Sequence, residues 1–488
     1  MDTTREKDLL GRVPTGVFVG GEWRASESGA TFPVEDPATE SQLVEVADAT
    51  ASDAVAALDT CVAVQEQWAA TPPRERGEIL RRTYQLMNDR IDDLALLMTL
   101  EMGKPLSEAK AEVSYGAEFF RWFAEEAVRI DGRWSVNPNG SGRLLTMKQP
   151  VGPCLLITPW NFPIAMGTRK IGPAVAAGCT MVVKPAQLTP LSMLMLADLM
   201  REAGLPDGVL NVLPTSKASA VSTPLFDDPR LRKVSFTGST PVGKKLMEQA
   251  AQHVLRVSME LGGNAPYLVF GDADLDAAVT QALIAKMRNI GESCVAANRF
   301  HVHESVADEF ARRLAERMGA MKVGRGTEDG VEVGPLIDND QRSKVAELVD
   351  DAVGKGAKVL TGGEPVGERG YFYAPTVLAS VSDDATLLRE EIFGPVAPVK
   401  SFATDDEAIA AANDSEYGLV AYVFTRDINR AIRVTEGLDV GMVGLNRGLV
   451  SNPAAEFGGV KESGVGREGG REGIEEYLYT KYVAVDLA

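Results

Sequence analysis

From Val151 onward the chain alternates short apolar runs with amphipathic stretches, and this rhythm restricts the fold more than any other feature. Short strands separated by helix-length segments pair parallel, because a crossover is needed before each next strand can lie beside the last. The run 152–160, GPCLLITPW, reads as a strand leading into a helix that starts at Asn161, carries Pro163 in its first turn and ends near Gly178. TMVVKP reads as the next strand. Thr189 and Pro190 then open a second helix, SMLMLADLMREAG, with Gly204 placed to stop it, and GVLNVLP is a third strand. LRKVSF (231–236) and RVSMEL (256–261) repeat the pattern with a helix between them. The expectation is an α/β chain with an open, doubly wound, Rossmann-type sheet, and such sheets bind ligands at the carboxyl ends of their strands.

A second α/β pass begins near Ala265 with strand APYLVF, helix DLDAAVTQALIAKMRNIG, strand RFHVH and the charged helix SVADEFARRLAERMGAM, and reads as a separate layer. Two helical stretches before residue 132, DAVAALDTCVAVQEQWAA and the segment 77–103, are expected to pack on the first domain. RWSVNPNGSGRLLTMKQP and the tail EEYLYTKYVAVDL alternate polar and apolar residues, as strands exposed on one face or paired with a partner do. A chain of 488 residues is too long for one core. It divides into a cofactor-binding domain (1–132 and 151–260), a catalytic domain (261–470) and a β oligomerisation element (133–150 and 471–488), through which the chain is expected to form a homodimer or homotetramer.

With 69 acidic against 50 basic residues, the formal charge of −19 argues against a nucleic-acid or anionic-membrane partner, since both need clustered cations. A small-molecule ligand fits better. The N-terminus MDTTREKDLLGR lacks the apolar core of a signal peptide, and no run of about 18 apolar residues occurs, so the expected location is the cytoplasm. The four cysteines lie far apart without a C-x-x-C pair, which fits neither a disulfide framework nor a zinc site. Only three histidines occur, and His301 and His303 sit in a strand-like run as structural residues. No metal site is expected.

Several residues could carry chemistry. Gly238, Ser239 and Thr240 lie between strand LRKVSF and helix VGKKLMEQAA, which presents backbone N–H groups to an anion. The G-x-x-x-x-G-K spacing there resembles a P-loop, but Lys245 stands where Ser or Thr must hold magnesium. Cys294 in NIGESCVAANRF follows a helix and Gly291, where a turn can present a thiol; taken alone, a cysteine beside Val and Ala reads first as a small core residue. Glu260 ends an apolar strand and is either salt-bridged structure or a base of raised pKa. Asn161, at a strand end, reads first as a helix cap and second as an oxyanion donor.

The motifs PWNFP, KPA, FTGST, ELGGN, GESC, EEIFGP and FGGVKESGVGRE, in this order over some 300 residues, resemble the aldehyde dehydrogenase superfamily. TRKIGPAVAAGC, SMELGGNAPYLVF and GREGGREGIEEYLYTKY are similar to its succinate-semialdehyde dehydrogenase branch. The resemblance implies that Cys294 is the nucleophile, that Asn161 and the Cys294 backbone N–H stabilise the oxyanion, and that Glu260 is the general base. Because acylating relatives that use coenzyme A lack this glutamate, a carboxylic acid product is implied. The same resemblance assigns Trp160, Lys184, Gln187, Gly238, Ser239, Glu391 and Phe393 to the cofactor. Arg169, Arg288, Ser451 and Phe457 are assigned to an aldehyde with a distal carboxylate, succinate semialdehyde first, and Arg447 adds a cation at the pocket mouth. The alternatives are another semialdehyde such as glutarate semialdehyde, a broad-range dehydrogenase, or a non-catalytic binding protein on the same fold. Three departures stand out: Glu292 where relatives have Gln, Glu456 where many have Pro, and Gln187 where NAD-preferring members have Glu. Gln187 removes a charge that would repel a 2′-phosphate, so NADP is the expected cofactor, with NAD possible. Ala296 takes the place of a second cysteine found in some relatives, so no local disulfide switch is expected.

Overall fold

The computed structural model describes residues 3–486 of the chain. The βα rhythm builds an eight-stranded sheet whose five inner strands are parallel, in the spatial order Leu210–Val212, Met181–Lys184, Cys154–Ile157, Lys233–Thr237 and Arg256–Glu260. Every residue of the strands Cys154–Ile157, Met181–Lys184 and Lys233–Thr237 is buried, as expected of parallel strands covered by helices on both faces. From Cys154–Ile157 the next two strands in sequence add on one side, while Lys233–Thr237 and Arg256–Glu260 add on the other. The reversal leaves a crevice at the carboxyl ends of Cys154–Ile157 and Lys233–Thr237, where two crossovers depart in opposite directions.

A seven-stranded second sheet runs Lys358–Thr361, Thr376–Ala379, Val396–Phe402, Ala297–His303, Ala265–Val269, Val420–Phe424 and Met442–Leu445, parallel throughout except for its first pair. The two alternating segments pair with each other. Leu478–Val485 runs antiparallel to Arg143–Pro150, which also pairs with Arg133–Val136. Trp134, Val136 and Tyr482 on this three-stranded sheet are all more than half exposed. Among the described residues no helix is long and apolar enough to cross a membrane.

Three helices depart from the sequence expectation. The stretch 77–103 is two helices, Pro73–Asp89 and Ile91–Met102, broken at Arg90 (φ −114°, ψ 23°). All residues from Leu94 to Met102 are buried, so the second helix has no polar face to mark its start. A long helix, Leu106–Glu126, follows unread. The helix expected from Asn161 starts only at Ala165 and runs to Ala177, ending at Gly178 in the left-handed region (φ 91°). Its cap comes from elsewhere: Glu112 Oε1, on Leu106–Glu126, accepts the Ile164 and Ala165 N–H groups at 3.1 and 3.2 Å. Glu101 does the same for the helix Leu191–Glu202, accepting from Leu191 and Ser192 at 2.7 and 2.9 Å. Distant buried carboxylates thus satisfy the N–H groups that a local Ser, Thr or Asp would otherwise take.

Glu112 also forms a buried ion pair with Lys104. Glu112→Ala should therefore destabilise the chain by about 3–5 kcal/mol, the cost of stranding one partner of a buried pair, and lower its thermal midpoint. An unchanged midpoint in a melting experiment would show that the Lys104 ammonium finds another anion.

Candidate active site

The crevice at the strand reversal holds a cavity of about 220 Å³ lined by residues that follow the two diverging strands, Trp160 and Asn161 on one and Gly238 and Ser239 on the other. Glu260, Cys294, Glu391 and Phe393 also line it, with Gln341 and Lys344. Sequence-distant candidates are thereby gathered into one space. Ser239 caps the helix Thr240–Ala251 without using its side chain on the helix N–H groups. Lys184 closes the neighbouring strand and is 7% exposed, while Gln187, three residues on, is exposed. Burial alone lowers the Lys184 ammonium to about 8, with no anion opposing it. Phe393, in a left-handed conformation (φ 54°), stands edge-on to Trp160 with ring centres 5.3 Å apart.

Cys294 follows a segment of unusual backbone shape: Asn289, Ile290 and Gly291 all have positive φ (56°, 63° and 79°). Bonds from other elements hold it. Glu108 accepts the Asn289 N–H at 2.6 Å, and the Asn289 amide donates to the carbonyls of Asn161 (3.0 Å) and Glu292 (2.8 Å). Asn161 Nδ2 donates to the same Glu292 carbonyl at 3.0 Å, and its Oδ1 accepts the Phe162 N–H. Asn161 therefore does not cap a helix; its side chain ties the first sheet to the cysteine loop. A Cβ at Gly263 would fall 2.6 Å from the Cys294 carbonyl, so the ELGGN turn needs glycine where the two loops touch.

Cys294 is half-buried and the other three cysteines are buried. Burial raises its thiol to about 12; Glu391 and Glu260 push the same way, and Arg169 and Arg288 oppose them. Glu260 is 4% exposed, with Oε2 unpartnered among the described residues. Burial, then Glu468, raises its carboxyl well above the ordinary range, against Arg169, Lys170 and Arg467. Glu468 itself sits 2.5 Å from both Arg169 and Lys170. Burial pushes Glu468 up, but the two cations outweigh it and hold the carboxyl below its usual value. The Glu391 carboxyl is raised by burial to about 7 and accepts the Gly263 N–H at 3.2 Å. The side chain of Glu292 turns away from Cys294, accepting the Ile337 N–H at 3.0 Å.

On the other side of Phe162 lies a larger cavity, about 560 Å³, with Arg288 in its wall. Arg288 donates to Ser451 Oγ at 3.3 Å and lies over the Phe162 ring at 4.9 Å. Arg169 is fully buried, its guanidinium 4.1 Å from the centre of the Phe457 ring, and its Nη1 has no hydrogen-bond partner among the described residues. Between the two arginines stands Tyr115, a residue the sequence did not single out. Burial raises its phenol, and Arg169, Arg288 and Ser451 oppose the rise. Arg447 is exposed, and Glu456, also exposed, accepts the Arg471 N–H at 3.1 Å.

Gln341 and Lys344 were missed as well. They belong to the helix Asn339–Gly354, where Gln341 donates to the Phe393 carbonyl at 2.7 Å and Lys344 to the Glu391 carbonyl at 2.7 Å. No motif signals them, since polar residues on a helix face are ordinary.

A Rossmann-type crevice that brings together a half-buried thiol, a buried carboxyl and a second α/β layer defines the fold of a cysteine-dependent aldehyde-oxidising dehydrogenase. The sequence model of the aldehyde dehydrogenase family matches residues 23–483, and the chain belongs to that family. It is 61% identical over 443 residues to a succinate-semialdehyde dehydrogenase of Paenarthrobacter nicotinovorans, covering 91% of this chain and 98% of the relative. It is 49% identical over 470 residues to succinate-semialdehyde dehydrogenase [NADP(+)] GabD of Escherichia coli (strain K12), covering 96% and 97%. The crystal structure of succinate-semialdehyde dehydrogenase from Burkholderia pseudomallei superimposes with a TM-score of 0.96 at 48% identity, covering 97% of this chain and 98% of that one.

A thiol raised to about 12 is protonated at neutral pH, so alkylation of Cys294 by iodoacetamide in the cofactor-free protein should climb with pH to at least pH 10. Labelling at that residue, followed by mass spectrometry, checks this. A rate that levels off near pH 7 would mean that the thiolate is stabilised by something other than Arg169 and Arg288.

Proposed function

We propose that this aldehyde dehydrogenase oxidises succinate semialdehyde to succinate with NADP, and that Arg288 and Arg169 select the distal carboxylate. The observation that carries the reading is a pair of arginines whose charges act on Cys294: among the described residues Arg288 is held by Ser451 and ring faces without a salt bridge, while Arg169, ion-paired to Glu468, keeps an unpartnered buried Nη1. A half-buried guanidinium with no salt-bridge partner among the described residues, as Arg288 is, wants an anion, and it takes a carboxylate through paired hydrogen bonds. The names of the two relatives support the substrate, and that of the Escherichia coli protein supports NADP.

In this reading the Cys294 thiolate adds to the aldehyde carbon, and Asn161 Nδ2 and the Cys294 N–H hold the oxygen of the thiohemiacetal. Loss of hydride turns that adduct into a thioester. Glu260 then takes a proton from water, which attacks the thioester and releases the acid and the thiol. The residues fit a dinucleotide: the free N-terminus of Thr240–Ala251 with Gly238 and Ser239 suits a pyrophosphate, and the uncompensated Lys184 suits a ribose or phosphate. Glu391, Phe393 and Trp160 line the cavity beside Cys294, where the nicotinamide ring would accept the hydride when bound. The exposed, uncharged Gln187 leaves a 2′-phosphate unopposed.

The reading assigns residues 1–132 and 151–260 to a cofactor domain, 261–470 to a catalytic domain, and the segments 133–150 and 471–488, whose strands Arg133–Val136, Arg143–Pro150 and Leu478–Val485 form the three-stranded sheet, to self-association as a dimer or tetramer. It is an enzyme of the cytoplasm. Glutarate semialdehyde, one methylene longer, is the second substrate to test.

Two experiments test the mechanism and the substrate. Glu260→Gln should give a burst of reduced cofactor with stoichiometry near one per site and then slow turnover; steady wild-type release of acid would remove Glu260 from deacylation. Arg288→Ala should raise KM for succinate semialdehyde about ten- to a hundredfold, from the roughly 1.5–3 kcal/mol of a hydrogen bond to a charged group, and change butanal oxidation far less. Arg169→Ala should weaken both reactions, because it also frees Glu468 and Phe457 beside Glu260. Assays run with succinate semialdehyde, glutarate semialdehyde and butanal in NADP and in NAD decide it: equal losses on all aldehydes for Arg288→Ala, or a specificity ratio favouring NAD, would contradict the substrate or the cofactor assignment respectively.

A further inference from the structure

We propose that Glu292 is a positioning residue that joins the cysteine loop to the helix fixing Glu391 and Phe393, so that the nucleophile and the cofactor side of the site are set by one linkage. The proposal rests on Cys294 being the nucleophile. Glu292 lies two residues before it, and its two ends point to different places. Its backbone carbonyl accepts from both Asn161 and Asn289, which shapes the cysteine loop. Its side chain is fully buried and accepts the N–H of Ile337. The next residue, Asp338, caps the helix Asn339–Gly354 by accepting the Gln341 N–H at 2.8 Å. From that helix Gln341 bonds the carbonyls of Ile392 and Phe393, and Lys344 bonds the carbonyl of Glu391. Hydrogen bonds and one short helix thus run without a gap from the loop of Cys294 to the EEIFGP loop.

The joint works with an uncharged acid. Glu292 Oε2 is buried without a hydrogen-bond partner among the described residues, and no cation pairs with the carboxyl. The charged groups around it are Asp338, which caps the helix Asn339–Gly354, and Lys104, from the turn before Leu106–Glu126. Lys104 is already engaged by Glu112 and by the Asn161 carbonyl at 2.8 Å. Burial, then Asp338, raises the Glu292 carboxyl well above its ordinary range, while the Ile337 N–H and Lys104 only partly oppose this. A carboxyl raised on folding contributes stability below the ordinary carboxylate range, and that contribution disappears as pH climbs through the raised value. Ionisation would then strain the linkage and remove activity on the alkaline side, in the opposite sense to the rise expected from deprotonation of Cys294 and Glu260. Glutamine makes the same acceptor bond and cannot ionise.

The test compares Glu292→Gln and Glu292→Ala in the full-length enzyme with NADP as the varied substrate. Glu292→Ala should raise KM for the cofactor by roughly fivefold or more and lower kcat by roughly tenfold, while Glu292→Gln restores both to within roughly threefold and carries the alkaline limit of kcat/KM to higher pH. The thermal midpoint of Glu292→Gln should gain on the wild type as pH increases. Unchanged cofactor KM in Glu292→Ala would overturn the proposal, and so would an alkaline limb identical in the wild type and Glu292→Gln. Should Glu292→Ala fail to fold, the pH profiles of the wild type and Glu292→Gln decide alone. Activity surviving in Cys294→Ala would instead overturn the nucleophile assignment, independently of either Glu292 result.

Discussion

Three consecutive residues before the candidate nucleophile, Asn289, Ile290 and Gly291, lie in the left-handed region, which an L-residue enters at a cost of about 1–2 kcal/mol and a β-branched one more reluctantly still. Two bonds inside the turn, Glu292 N–H to the Asn289 carbonyl at 2.8 Å and the Asn289 amide to the Glu292 carbonyl, offset part of that cost, and the rest comes from outside. Glu108 takes the Asn289 N–H, and Asn161 and Asn289 converge on the carbonyl of Glu292, so partners from the first sheet and from the helix beside it supply the stabilisation. The thiol is therefore only as well placed as the packing between the two sheets, and much of the local structure serves that packing.

The helices that carry the partners are anchored in the same manner. Glu112 satisfies the first N–H groups of Ala165–Ala177 and neutralises Lys104, whose ammonium reaches the Asn161 carbonyl. The strand end, the helix start and the cysteine loop meet at one buried ion pair. A second buried cluster, Arg169 and Lys170 with Glu468, stands beside Glu260 and sets its electrostatic surroundings. Desolvation drives Cys294, Glu260 and Glu391 toward their uncharged forms; Arg169 moderates the effect at Cys294 and Glu260, and Lys344 and Lys286 do so at Glu391, without cancelling it.

Much of the architecture could be read from residue order. Apolar runs of strand length with glycine and proline punctuation marked all five parallel strands of the first sheet, because a strand buried on both faces leaves an uninterrupted signal. The same rule hid the break at Arg90 inside the helical stretch 77–103, because Leu94–Met102 is buried all round and shows no amphipathic period. Asn161 looked like a cap because an amide after a strand and before Pro163 is typical of one; a carboxylate from another helix had taken that task. Tyr115, Gln341 and Lys344 carried no motif, and only their neighbours in space make them part of the site.

By itself the sequence determined the α/β class and the direction of the inner strands, since both depend on local periodicity, while the reactive groups were nominated by its resemblance to a known family. It also marked Glu292 as a departure from the family pattern. What that glutamate does was decided by the tertiary structure, which turns its carboxyl from Cys294 toward Ile337. The same holds for Arg169: in sequence it is one of two candidate cations, and in the folded chain it is bound to Glu468, some 300 residues away. Burial, partner and charge state arise between segments remote in the chain, and no short-range pattern encodes the dielectric or the counter-charge that a residue meets once those segments have packed.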